Sequence, residues 1–127
     1  MLNPKPKTSL AISEPAVLTK AVLRAAEHLG MTSKTLANVI GVSEATISRM
    51  KGGAYNLQRG QKPYELAVLF VRLYRSLDAI VGGDDAVAGA WLRNQNTALG
   101  GNPIAMIQTV SGLTHVIDYL DARRAVI

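Results

Sequence analysis

Between Ser33 and Met50 the chain reads SKTLANVIGVSEATISRM, and its apolar residues keep helical spacing on both sides of one glycine. Leu36, Ala37 and Ile40 share a face of a short helix, and Ile47 and Met50 resume an apolar face at i, i+3. Gly41-Val42-Ser43 interrupts the pattern. Two helices joined by so short a turn cross steeply, which demands a small side chain at the crossing and a turn residue tolerant of positive φ. Ala37 and Gly41 meet those demands. Ser43 is placed to cap the second helix by accepting a backbone N–H of its first turn. The pattern predicts a helix-turn-helix. Its second helix leaves Ser43, Glu44, Ala45, Thr46, Ser48, Arg49 and Lys51 outward, a short polar face with two cations that suits the major groove of DNA. Arg49 is the candidate for a base edge and Lys51 for phosphate.

Charge agrees with this placement. Residues 1–80 hold eleven lysines and arginines against five carboxylates, a balance of +6, while residues 81–127 hold three against four, a balance of −1. A basic first half suits a polyanion, whose condensed counterions are released on binding. The chain has no cysteine, which excludes disulfides, thiolate zinc sites and cysteine catalysis and is compatible with a reducing cytoplasm. Met1 to Ser13 lacks the apolar segment of a targeting signal. The longest strongly apolar run, Leu66 to Val71, is far short of the roughly 20 residues that span a membrane.

The remaining chain also reads as helices. Pro4-Lys5-Pro6-Lys7 marks residues 1–12 as a tail. A first helix starts near Ser13-Glu14-Pro15, buries Leu18, Val22, Ala25 and Leu29, and ends at Gly30. Gly52-Gly53 stops the third helix, and a loop from Ala54 to Gln61 offers Tyr55, Asn56, Gln58 and Arg59 to a sugar-phosphate backbone. The fourth helix opens at Pro63 and carries a wide apolar stripe of Leu66, Leu69, Phe70, Leu73, Leu77 and Ile80, ending at Gly82-Gly83. Asp84 or Asp85 caps a fifth helix with Trp91 and Leu92. A polar loop, Asn94 to Asn102, leads to Pro103, which opens a short helix with Ile104, Ile107 and Val110 inward. Ser111-Gly112 is read as a break, and a last helix runs from about Leu113 to Ala125. No segment alternates with period two, so the expected fold class is all-α.

Catalysis finds little support. His28 and His115 lie apart without metal-ligand spacing. Asp84-Asp85 sits where a helix N-terminus favours negative charge. Neither glycine pair follows a strand as a phosphate-binding fingerprint requires. We expect no enzyme activity, cofactor or metal.

The stretch WLRNQNTALGGNPIAMIQTVSGLTHVIDYL fixes Trp91, Asn96, Leu99-Gly100-Gly101, Pro103, Thr109 and Gly112 in order. It resembles the toxin-binding domain of the Xre/MbcA/ParS antitoxins, with the resemblance covering about residues 60–125 and the upstream helix-turn-helix being of the Xre kind. After the tail over 1–12, the resemblance implies an Xre-like helix-turn-helix domain over 13–60 and a toxin-binding domain over 61–127 that includes the long linking helix. It also implies a cytoplasmic antitoxin, encoded beside a RES-domain toxin that is similar in fold to ADP-ribosyltransferases and depletes NAD. Such an antitoxin blocks the toxin's active site and represses the shared operon.

Trp91, Leu92, Ile104 and Ile107 are read as core, so toxin contact is sought at the exposed loop and at the chain's end: Asn94, Asn96, Gly100, Gly101, Asn102, Asp121, Arg123, Arg124 and Ile127. Leu69, Leu73 and Leu77 are the candidate homodimer face, because the stripe is wider than a three-helix unit needs; a dimer then reads an inverted-repeat operator. Two other classes stay open: a stand-alone dimeric helix-turn-helix regulator, and an interaction module that does not bind DNA.

Overall fold

The structure, a computed structural model, describes residues 13–126. The expected tail over 1–12 and the candidate Ile127 lie outside the described residues. Seven helices follow in order: α1 (Glu14–His28), α2 (Ser33–Ile40), α3 (Glu44–Lys51), α4 (Lys62–Ile80), α5 (Asp85–Arg93), α6 (Pro103–Met106) and α7 (Val110–Val126). The fold is all-α. Among the described residues, extended pairing is limited to one isolated antiparallel bridge, Asn96 with Gly101. No described helix is long and apolar enough to cross a membrane.

Side-chain oxygens start most of these helices. Ser13, Thr32, Ser43, Asp84 and Asn102 accept the backbone N–H of Ala16, Thr35, Thr46, Val87 and Ile104, each satisfying a donor that the helix itself leaves unpaired. Gly41 ends α2 at φ 76°, the left-handed conformation that the turn into α3 requires. Ala37 is buried, only 3% exposed, among the core residues of α2.

The longest helix, α4, organises the molecule. It packs against α1 and α2 on the helix-turn-helix side and against α5 and α7 on the other. Phe70, Leu73 and Leu77 are completely buried, and α7 brings Leu113, Val116, Ile117 and Leu120 into the same core. This corrects the expected dimer face. Leu73 and Leu77 are enclosed by the chain's own helices, and Leu69 is half-buried against that core. The stripe is wide because it serves two halves of one chain.

Two further expectations fail for local reasons. Ser111-Gly112 lies inside α7, not between helices. A β-carbon on Gly112 would sit 1.9 Å from the Met106 carbonyl oxygen, so the glycine admits the preceding turn where a break was expected. Thr109 starts α7 by accepting the Gly112 N–H (3.1 Å). Val110 then points out, 59% exposed, rather than inward. The 52–61 connection is also anchored. Leu57 is fully buried, and its N–H donates to Thr19 Oγ1 (3.0 Å), whose hydroxyl donates to the Pro15 carbonyl (2.7 Å).

Candidate functional site

On α3, Ile47 and Met50 are buried and hold the helix against the core, while Ser43, Glu44, Ala45, Ser48, Arg49 and Lys51 are exposed and Thr46 is half-buried. The polar side chains form a line along the helix. The Ser43 hydroxyl lies 3.0 Å from that of Thr46, and Arg49 Nη2 donates to Thr46 Oγ1 at 3.0 Å. One donor of the guanidinium is used, so its flat edge is oriented and other N–H groups stay available for a base. Lys51 Nζ donates to Ser33 Oγ at 2.7 Å. That bond holds the ammonium at the start of α2, where unpaired backbone N–H groups and the helix dipole also favour an anion.

Of the loop residues named from sequence, Tyr55 is half-buried. Arg59 pairs with Glu14, and its guanidinium lies 6.0 Å from the Tyr64 ring centre.

The loop after α5 is short and tightly tied. Asn96 Oδ1 accepts the Leu99 N–H (3.0 Å), Asn96 N–H donates to the Gly101 carbonyl (2.9 Å), and Leu99 is buried beneath them. Gly100 turns the tip at φ 80°. Asn102 caps α6 and donates from Nδ2 to the Arg93 carbonyl (2.6 Å). Asn96 and Asn102 therefore spend their side chains on shaping the loop. What the loop presents outward is Asn94, Gln95, Thr97, Ala98 and Gly100, with Gly101 half-buried.

At the other end of this half, Asp121 is turned inward onto α4. It accepts from Ser76 (2.8 Å) and from Arg72 (2.5 Å), and Arg124 donates to the same Ser76 hydroxyl (3.3 Å). Burial disfavours the Asp121 carboxylate, but the hydroxyl of Ser76 and the cations of Arg72 and Arg124 outweigh it, holding its pKa below the usual value. Arg123 is exposed, donates to the Tyr119 hydroxyl (2.9 Å), and lies 5.7 Å from that ring's centre. Trp91, read as core, is half-buried and stacks on Tyr119 with centroids 6.3 Å apart.

Three polar ties, none visible in a linear reading, join the two halves. Arg93 donates to the Leu29 (3.0 Å) and Gly30 (2.6 Å) carbonyls at the C-terminus of α1, where a cation complements the dipole. His28 Nδ1 meets Asp85 Oδ2 at 2.8 Å and stacks on Tyr74. Asn38 of α2 donates to Gln108, beside α6, at 2.9 Å. The hydrogen bond that His28 donates to the Asp85 carboxylate, and then the charge of that carboxylate, raise the His28 pKa. Sequence spacing had left His28 unpartnered because its carboxylate lies on another helix. Among the described residues no group of three or more acidic or histidine side chains gathers as a metal site.

These two faces correspond to two matched family models. Residues 10–72 match the antitoxin Xre-like helix-turn-helix domain, and residues 76–125 match the antitoxin Xre/MbcA/ParS C-terminal toxin-binding domain. The chain belongs to the Xre family of antitoxins. The antitoxin's two matched segments meet inside α4, the helix that carries both packing surfaces. Antitoxin domains of this kind bind DNA and a toxin and point to regulation rather than catalysis. No curated protein matches the chain.

Proposed function

We propose that this antitoxin neutralises a RES-domain, NAD-degrading toxin by covering its active site, and that as a homodimer it represses the shared operon from an inverted-repeat operator. The observation that carries the reading is the toxin-binding domain match over residues 76–125, which ends at α7 with Arg123 and Arg124 exposed near its C-terminus. The resemblance of the WLRNQNTALGGNP signature to antitoxins of RES toxins supports the toxin's identity. An enzyme that handles a dinucleotide binds a pyrophosphate, so its pocket offers anion-binding groups. Arg123 and Arg124 can pair with acidic groups at the rim, and the apolar end of the chain can fill the apolar part of the pocket. The exposed side of the Asn94–Asn102 loop forms a second contact.

The test is co-expression with the adjacent gene product, co-purification, and NAD measurement in the growing cells. A variant lacking Ala125, Val126 and Ile127 keeps Asp121 and Arg124 on Ser76. It is expected to fold and bind operator yet leave NAD unprotected. Full protection by that variant removes the C-terminal plug. Unchanged NAD when the partner gene is expressed alone removes the RES assignment.

A further inference from the structure

Trp91 is the chain's single tryptophan, and the fold leaves it half-buried. Leu92 and Leu120, the residues that follow Trp91 on α5 and Tyr119 on α7, are buried in the core. Trp91 and Tyr119 are thereby turned to the rim. Their rings stack with centroids 6.3 Å apart and planes 19° from parallel. Arg123, one turn further along α7, is exposed, lies 5.7 Å from the Tyr119 ring centre and donates to its hydroxyl at 2.9 Å. Trp91, Tyr119 and Arg123 therefore form one continuous ladder across two helices. Helical spacing extends the face: Val87, 49% exposed, precedes Trp91 by one turn, and His115, exposed, precedes Tyr119 by one turn.

Packing accounts only for the inner side of the ladder, where Trp91 and Tyr119 lean on the core. Among the described residues the indole N–H has no acceptor, and Arg123 has no carboxylate. Asp121, the nearest carboxylate in the last turns of α7, is taken by Ser76 and Arg72. One guanidinium nitrogen of Arg123 serves Tyr119, which leaves further N–H donors unspent. Tryptophan, tyrosine and arginine are the residue types whose truncation costs an interface most. Arg123 is already held in place by the ring and hydroxyl of Tyr119, so a partner that meets it forfeits little further side-chain freedom.

The geometry points to this ladder as the anchor of the toxin contact: the toxin lays an apolar side chain against the exposed side of Trp91 and sets a carboxylate on the Arg123 guanidinium. Every residue of the face, from Val87 to Arg123, falls within residues 76–125, the segment matched to toxin binding. The unmet donors of Arg123 and of the indole call for an acidic, acceptor-bearing edge on that partner. This inference rests on the proposed neutralisation and names the part of the antitoxin that carries its affinity.

Fluorine NMR of the full chain made with a fluorinated tryptophan gives a single resonance, because Trp91 has no companion. Titration with the unlabelled product of the adjacent gene is expected to move that resonance and to remove its solvent isotope shift. Calorimetry on the same pair should show Arg123→Glu weakening the complex at least about thirtyfold. Arg123 is exposed, so the thermal melt and operator binding of that variant should stay close to wild type. Arg123→Lys keeps the charge without the planar fork and should lose about tenfold. Trp91→Phe keeps a ring on the stack without the N–H and should also lose about tenfold. A complex that leaves the resonance unmoved, or that tolerates Arg123→Glu, overturns the anchor while the antitoxin still binds its toxin by another face. A wild-type chain that does not bind the gene product overturns the anchor and the proposed neutralisation together. A resonance that moves with the chain's own concentration, and not with the gene product, gives the face to a second copy and overturns the anchor.

Discussion

Arg49 and Lys51 lie two residues apart, yet their side chains are held by different partners. Arg49 is oriented along the outer line of α3 by Thr46, so its free donors form a fork that matches guanine. Lys51 is drawn back to Ser33, at the start of α2, a placement that suits a phosphate better than a base edge. Arg49→Ala is expected to cost about 1–3 kcal/mol of operator affinity and to relax selectivity at one base pair. Lys51→Ala should weaken all sequences alike and lower the salt slope by about one. Fluorescence anisotropy on operator, single-substituted operators and random DNA over a salt series separates them; equal loss on every sequence for Arg49→Ala removes it from base readout. Thr46→Val tests the orienting bond directly, and should lower specific affinity more than non-specific affinity.

At the scale of elements, the helices with strong caps and clear stripes were legible from sequence, and the junction between α6 and α7 was not. Ser13, Ser43 and Asp84 announce their helices because a capping oxygen precedes an apolar rhythm. Gly112 misleads because a glycine has two uses. Local propensity marks it as a breaker, but here it sits in a helix and gives the Met106 carbonyl room that no side chain allows. That second use depends on a chain approach invisible in the sequence pattern. The same blindness applied to Leu73 and Leu77: the width of the stripe was legible, but the helix that covers it was not. The Asn94–Asn102 loop was placed correctly as a polar connection, yet which of its side chains turn inward depends on Leu99 and Arg93. Gly112→Ala is expected to destabilise the fold by at least about 2 kcal/mol, since backbone must shift to clear the 1.9 Å approach. Ser111→Ala, one residue away and exposed, should change stability by less than about 0.5 kcal/mol. Thermal melts of the two variants decide it, and equal melting temperatures contradict the packing role of Gly112.

At the scale of the whole molecule, the helix-turn-helix and the toxin-binding half are joined by α4 and by polar ties from the C-terminus of α1 and from α2. His28 and Asp85 form the titratable tie among them. The groups acting on His28 are Asp85, Glu27 and Asp78, with the Tyr74 ring stacked upon it; burial and the two aspartates raise the Tyr74 pKa, so that phenol stays neutral through the range in which histidine titrates. Because the folded His28 pKa is raised, the pair's contribution is fully present below the unfolded value, about 6.5, and is lost as pH rises through the raised folded value. Asp121 behaves oppositely: its folded pKa is lowered, so its contribution is present above the ordinary carboxylate value and is lost as pH falls through the lowered one. The two ties thus fail at opposite ends of the pH scale, and near-neutral measurements isolate His28. Asp85→Asn keeps the shape of the first turn of α5, while the capping oxygen of Asp84 is untouched. The stability gap between wild type and Asp85→Asn should be widest near pH 6 and narrow steadily toward pH 9. His28→Gln should remove that pH dependence. Both halves bind partners of their own, so a weaker tie should lower the melting temperature without changing operator affinity at saturating protein. A gap that stays constant from pH 6 to pH 9 shows that the pair exerts no charge-dependent hold between the halves.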